Sequence, residues 1–168
     1  RFLFFFVMIV IGLMQGMQPI VGYNYGAKLY NRAFKALKLS IMFATFISVI
    51  GFLLGEFFPD MITSMFTTDK QLTEIAASGM RIMMMAVPLL GIQVISTGFF
   101  QSIGYVKTAI FLSLLRQLIL IIPALLVFPL FFGLNGIWMS IPVSDTLATI
   151  ISVTILIYNY RQLKKLAN

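Results

Sequence analysis

The sequence predicts an all-α polytopic membrane protein with five transmembrane helices. Three observations carry that prediction. Of 168 residues, 60% are hydrophobic and only 10% are charged, and the mean hydropathy is +1.01. Soluble domains run at roughly 45–50% apolar and about 25% charged, and one of this size could not bury so much apolar surface. The apolar residues also gather into five runs of the length, about 20 residues, that crosses about 30 Å of hydrocarbon. The runs do not alternate as the strands of a membrane barrel must. An ordinary soluble enzyme is excluded, and so is a disordered chain, which needs low hydrophobicity and high charge.

The expected spans cover 2–23, 39–58, 77–100, 109–132 and 137–158. Between the first two, 26–38 is basic and amphipathic. Leu29, Ala33, Ala36 and Leu37 share one face and Lys28, Arg32 and Lys35 another, which suits a helix lying at the interface. In the link 59–79, Ile62, Met65 and Phe66 make one helical stripe, and Leu72, Ile75 and Ala76 make a second. The link predicts a short surface helix, a break at Thr67–Thr68, and then a helix running into the third span. Thr68 with Gln71 fits a capping box, and Asp69 suits the first turn. Gly104 to Lys107 and Gly133-Leu134-Asn135-Gly136 are tight turns, so the fourth and fifth spans form an antiparallel hairpin.

Loop charges orient the chain. With five spans, the loop at 26–38 (four Lys and Arg), the turn at Lys107 (one) and the tail after 160 (three) share one side, eight in all. The other side has Arg1, Lys70 and Arg81, together with Glu56, Asp60, Asp69 and Glu74. The positive-inside rule makes the C-terminus cytoplasmic. The net charge of +7 is therefore a topology signal and not a nucleic-acid footprint. Phe2 to Met14 is an apolar run with no lead-in. It continues past signal-peptide length and meets no small-residue cleavage site. An N-terminal end outside the cell implies an earlier span, so an N-terminal part is expected to be missing.

Histidine and cysteine are absent. That leaves no disulfide, no Cys/His zinc site, no thiol nucleophile and no His-based triad. An intramembrane protease would need a Ser/His pair or two buried aspartates, and only Asp145 lies well inside a span. No catalytic or metal-binding residue is assigned, and an enzyme is not expected.

Several segments are too patterned for a generic membrane helix. The first span ends Gly16-Met17-Gln18-Pro19-Ile20-Val21-Gly22-Tyr23-Asn24-Tyr25-Gly26-Ala27. Met65-Phe66-Thr67-Thr68-Asp69 and Gly98-Phe99-Phe100-Gln101-Ser102-Ile103-Gly104 follow. Then come Leu115-Arg116-Gln117 with Pro123, and Gly133-Leu134-Asn135-Gly136-Ile137-Trp138 with Pro142, Ser144 and Asp145. In this order the ensemble resembles the multidrug and toxic compound extrusion (MATE) efflux family, in particular its bacterial branch. The resemblance implies a twelve-helix, two-lobe transporter in the cell inner membrane, with 1–168 as the last five helices of the C-terminal six-helix lobe. It also implies secondary active efflux of cationic or amphiphilic drugs and toxicants in exchange for protons or sodium ions. No cofactor is implied, the ion gradient being the driving force. The partners implied are the bilayer, small-molecule substrates and the missing N-terminal lobe. The alternatives are a lipid-linked sugar flippase of the same superfamily, which would place more cations along its cavity, and a non-transporting membrane scaffold.

The candidate substrate- or ion-binding residues are Asp145, Arg116, Gln18, Asn24 and Gln93. An ionisable group inside a span costs roughly 2.5–3.5 kcal/mol to insert and is a functional candidate by default. For Asp145, ion coupling stands beside a structural pair with Arg116 or a water-exposed helix end. Counted from the middle of the 133–136 turn, the two residues differ in height by about 12 Å at 1.5 Å per residue. A direct ion pair is therefore expected to be strained, and Asp145 is expected to face a cavity. Arg116 either snorkels or lines that cavity. Gln15, Gln18, Asn24, Gln93 and Gln101 either line it or join helices by hydrogen bonds. Gln18 stands out because Pro19 bends the helix and frees a backbone carbonyl. Met80, Met83, Met84 and Met85 offer an adaptable apolar wall or ordinary packing, and Gly12 with Gly16 a GxxxG packing face.

Overall fold

In a computed structural model the chain is described over residues 2–67 and 69–167, with side chains to 162. Its helices are α1 (Phe2–Gly26), α2 (Tyr30–Phe57), α3 (Pro59–Ser64), α4 (Lys70–Met84), α5 (Val87–Ser102), α6 (Val106–Leu114) and α7 (Ile121–Ala167). A π-helical turn, Leu115–Leu120, joins α6 to α7. Phe5, Phe43, Phe46, Leu126, Leu130 and Phe131 stand exposed, the outward apolar surface of a lipid-embedded bundle.

The five expected spans are present, with local differences. The first is α1, which carries Pro19 inside it. The second is α2, and here the interfacial helix expected at 26–38 is corrected. Its residues from Tyr30 onward are the first turns of the spanning helix itself. No Gly or Pro separates Tyr30 from Ser40, so nothing breaks the backbone there. The break falls earlier, where Lys28 adopts a left-handed φ of 60° and ends α1 in the manner of an αL cap.

The third span is bent. α4 and α5 meet at 51° because Pro88 stands in the first turn of α5. Its ring excludes a helical carbonyl four residues back, at Met84, where α4 ends. The cap of α4 also differs from expectation. Asp69 is the N-cap, its carboxylate accepting from the Gln71 N–H at 2.9 Å and the Leu72 N–H at 3.4 Å. Thr68, the expected capping residue, lies outside the described residues. Arg1 is outside them too, as are the side chains of Lys164 and Lys165.

A straight helix from Val106 to Gln162, 57 residues, would be about 85 Å long. The chain instead folds back at Gly133, whose φ of 56° and ψ of −134° are non-helical. The limbs 121–132 and 134–167 are the expected hairpin. Gly136 lets them close, since a Cβ there would stand 2.8 Å from the Pro129 nitrogen.

α1, α2 and α5 form the centre of the bundle. α2 turns Ala33, Ser40, Ala44, Ser48, Gly51 and Gly55 inward. Such a small-residue face lets backbones approach: a Cβ on Gly91 of α5 would lie 2.8 Å from the Ala44 carbonyl. Val10, Val21, Ile95, Phe99, Phe100 and Leu112 fill the core. Trp138 lies over Gly79 and ties α4 to the second limb of α7. The Gly12/Gly16 pair packs on nothing within 4 Å in the described chain, so the expected packing face is unused here.

Candidate functional site

The bundle holds a polar centre where α1, α5, the π-helical turn and α7 converge. Lipid offers no hydrogen bonds, so most hydroxyls on these helices close onto their own backbones, Ser144 and Ser152 of α7 being without a partner among the described residues. Thr97 donates to the Gln93 carbonyl at 3.0 Å, Ser102 to Gly98 at 2.7 Å and Thr149 to Asp145 at 2.7 Å. What remains is a set of longer side chains that bond across helices.

Arg116 and Asp145 form an ion pair. The guanidinium donates from Nε to Asp145 Oδ1 at 2.6 Å and from its terminal nitrogen to Oδ2 at 3.2 Å. The two planar groups meet edge to edge, the strongest and most directional form of this contact. The Asp145 side chain is 4% exposed and that of Arg116 25%. Asp145, expected to face a cavity, is instead buried behind Arg116 and is not among the residues lining the cavity beside the pair. The expectation against a direct pair is also wrong, because the hairpin is not symmetric about 133–136. Gly136 sits level with Phe128 and Pro129, which brings Asp145 level with residues 119–120. The height left to Arg116 is about 5 Å at α-helical rise, within reach of an arginine side chain. The π turn packs an extra residue into its turn and shortens the distance further. Its position also has a cause: Pro123 follows, and its ring displaces the carbonyl at Ile119, inside the widened segment.

Beside the pair lies a cavity of about 210 Å³, lined among others by Met14, Gln93, Gln101, Ser113, Arg116 and Gln117. Gln93 is 3% exposed, and its Oε1 has no hydrogen-bond partner among the described residues. A buried acceptor left unpaired costs about 1–3 kcal/mol. Gln18 enters through Gln101, donating from Nε2 to Gln101 Oε1 at 2.8 Å. Gly22, one turn on, approaches α5 closely enough that a Cβ would lie 3.3 Å from the Ser102 carbonyl.

Four of the five sequence candidates thus come together. Arg116 and Asp145 touch, Gln93 lines the cavity beside them, and Gln18 is one hydrogen bond removed. Asn24 does not join them. Its Nδ2 donates to the Ile20 carbonyl at 2.8 Å, so the amide closes its own helix. Thr97, Ser113 and Gln117 also line the cavity and were not among the candidate site residues. Gln117 carried a signal, since it follows Arg116 directly and the two together interrupt the fourth apolar run. Ser113 and Thr97 carried none, since short hydroxyls are common on membrane helices.

The MatE family model matches residues 1–126. The multidrug export protein MepA of Staphylococcus aureus (strain MSSA476) is 28% identical over 148 residues, 88% of this chain and 32% of that protein. MepA of Staphylococcus haemolyticus (strain JCSC1435) is 26% identical over 154 residues, 92% of this chain and 33% of that protein. The chain therefore spans about a third of the length of the curated relatives it matches. Among solved structures, the MATE multidrug transporter DinF-BH superposes with a TM-score of 0.89 at 40% identity, over 97% of this chain and 36% of that one. An outward-facing multidrug resistance MATE family transporter shares the fold, with a TM-score of 0.91 at 20% identity over 98% of this chain and 38% of its own.

Proposed function

The chain belongs to the MatE family, whose members are membrane transporters and not enzymes, and from that premise we propose that it is the C-terminal portion of a secondary multidrug exporter. In this reading residues 1–168 supply five helices of the six-helix C-terminal lobe, and an N-terminal lobe of the same protein faces them. Efflux of cationic or amphiphilic compounds is driven by an inward gradient of protons or sodium ions, with no cofactor. The protein is a multi-pass membrane protein; the excess of basic residues at 28–38, 107 and 161–165 supports a cytoplasmic C-terminus and residence in the cell inner membrane.

The single observation that carries the mechanism is the buried Arg116–Asp145 pair beside a polar cavity. A carboxylate held, among the described residues, by one guanidinium is a site that another cation can contest. A proton, a sodium ion or a cationic substrate reaching Asp145 releases Arg116 into the cavity, where Gln117 and Gln93 accept its hydrogen bonds. The π turn lets the guanidinium move without unwinding the helix, as such turns often do at functional sites. Coupling then follows because one carboxylate serves two cations in alternation, and alternating access moves one repeat against the other around the shared site. A lipid-linked sugar flippase is not favoured: Arg116 is the cation lining this cavity, and its charge is matched by Asp145.

The test is gradient-driven dye efflux by the full-length protein in liposomes, with sodium and proton gradients imposed separately. Efflux that responds to neither gradient overturns the reading. Efflux by residues 1–168 alone would overturn the requirement for a facing lobe.

A further inference from the structure

At the end of the bundle opposite Glu56, α2 and the second limb of α7 diverge around a cleft of about 460 Å³, within the range of roughly 300–1,000 Å³ that holds small ligands. Ile41, Leu156 and Ile157 form apolar walls, and Lys35 and Lys38 stand at its mouth with Tyr160. The rings of Phe34 and Tyr160, 4.5 Å apart and edge to face, close one end. The cleft is independent of the cavity beside Arg116 and shares no residue with it.

Depth and charge identify the occupant. α2 is 28 residues long, about 42 Å, while the hydrocarbon is about 30 Å thick. With Glu56 and Phe57 at one boundary, the other boundary falls near Leu37 and Lys38. The two ammonium groups then lie at headgroup depth, and Ile41, Leu156 and Ile157 lie among the acyl chains. Among the described residues no carboxylate pairs with them. No Asp or Glu occurs before Glu56 or after Asp145, and the ion pairs among the described residues are Arg81–Asp60 and Arg116–Asp145. Basic pockets between membrane helices on this kind of surface suit anionic lipid headgroups. We infer that this cleft binds one anionic phospholipid of the surrounding bilayer, its phosphate between Lys35 and Lys38 and an acyl chain along Ile41, Leu156 and Ile157.

Native mass spectrometry of the full-length protein, titrated in detergent with phosphatidylglycerol or phosphatidylcholine, tests this. One phosphatidylglycerol should be retained in preference to phosphatidylcholine. Lys35→Gln with Lys38→Gln should weaken its retention about 30-fold, from about 1 kcal/mol per basic residue at tenfold per 1.4 kcal/mol. Lys28→Gln with Arg32→Gln removes equal charge from the same end outside the cleft and should leave retention within about threefold of the unmodified protein, less than the tenfold step that 1.4 kcal/mol makes. Ile157→Trp keeps every charge, fills the cleft and should abolish retention. Equal losses in the two charge variants would show diffuse attraction and overturn the site. Undiminished binding in Lys35→Gln/Lys38→Gln, or in Ile157→Trp, would overturn it too, as would a cleft already filled by another protein segment.

Discussion

Arg116 Nε lies 2.6 Å from Asp145 Oδ1, joining two residues 29 positions apart across the hairpin closed at Gly133. Each alone would be an uncompensated charge inside the bundle. Together they are a neutral unit with one face buried and one beside a cavity, which is stable at rest and open to competition. Buried pairs seldom add net stability over well-packed apolar residues, but removing one partner is costly. That asymmetry separates structure from function in the first prediction.

Asp145→Asn should destabilise the full-length protein, but by less than the roughly 3–5 kcal/mol of a fully buried broken pair, because Arg116 is one-quarter exposed and can turn to Gln93 and Gln117 in the cavity. Adding Arg116→Gln should recover most of that loss, measured by thermal unfolding of purified protein. Efflux should stay abolished in the double variant despite the recovered stability. A double variant that transports normally would reduce the pair to a structural tie. One as unstable as Asp145→Asn would deny the coupling between the two groups.

The hairpin's register rests on Gly136. A methyl group there meets the Phe128 carbonyl and the Pro129 nitrogen, which are backbone atoms and cannot swing aside. Gly136→Ala should cost about 1–3 kcal/mol as overpacking and shift Asp145 away from Arg116. The measurement is thermal stability beside Gly26→Ala, where an added Cβ meets nothing within 4 Å. Equal stability of the two variants would contradict the close approach of the limbs.

This register marks where sequence reasoning stopped. Apolar run length and the glycines at 133 and 136 sufficed for the spans and the hairpin, because both are compositional. The vertical alignment was not legible, since it depends on which carbonyl Gly136 rides over and on one extra residue held in the π turn. Pro123 hints at that turn without fixing it. Pro88 did announce the bend in the third span, but apolar continuity across 77–100 concealed it. The charges at 28–38 suggested a separate surface helix because composition changes there, whereas helix continuity follows the backbone. At the site, Gln93 and Gln18 were visible as polar residues in apolar helices. Asn24 was equally visible, and only its position one turn after Ile20 on its own helix explains why it bonds inward to the backbone.

Topology is checked without structure. The chain has no cysteine, and Lys70 and Arg161 are both exposed. Single cysteines at these positions, probed in intact cells with an impermeant maleimide, should label at 70 and not at 161. The reverse pattern would place the eight basic residues outside and overturn the orientation.

Gln93 provides the sharpest separation of folding from function at the site. Its Oε1 is buried and has no partner among the described residues, and the residue lines the cavity, so no protein group of the described residues holds that oxygen. Replacing a lone buried acceptor with an apolar group of similar size removes a desolvation cost and is neutral or stabilising. Gln93→Leu should therefore unfold at the same temperature as the unmodified protein or higher. Gln18→Leu is the matched control. It strips the donor from Gln101 Oε1 in an exposed hydrogen bond and should lose at most about 0.5 kcal/mol, the low end of one net hydrogen bond. If Gln93 receives the guanidinium of Arg116 when a cation takes Asp145, Gln93→Leu should slow efflux while stability holds or rises. Stability that falls would mean the amide is already satisfied in the resting protein. Unchanged efflux with unchanged stability would remove Gln93 from the coupling path and leave the Arg116–Asp145 pair to act without it.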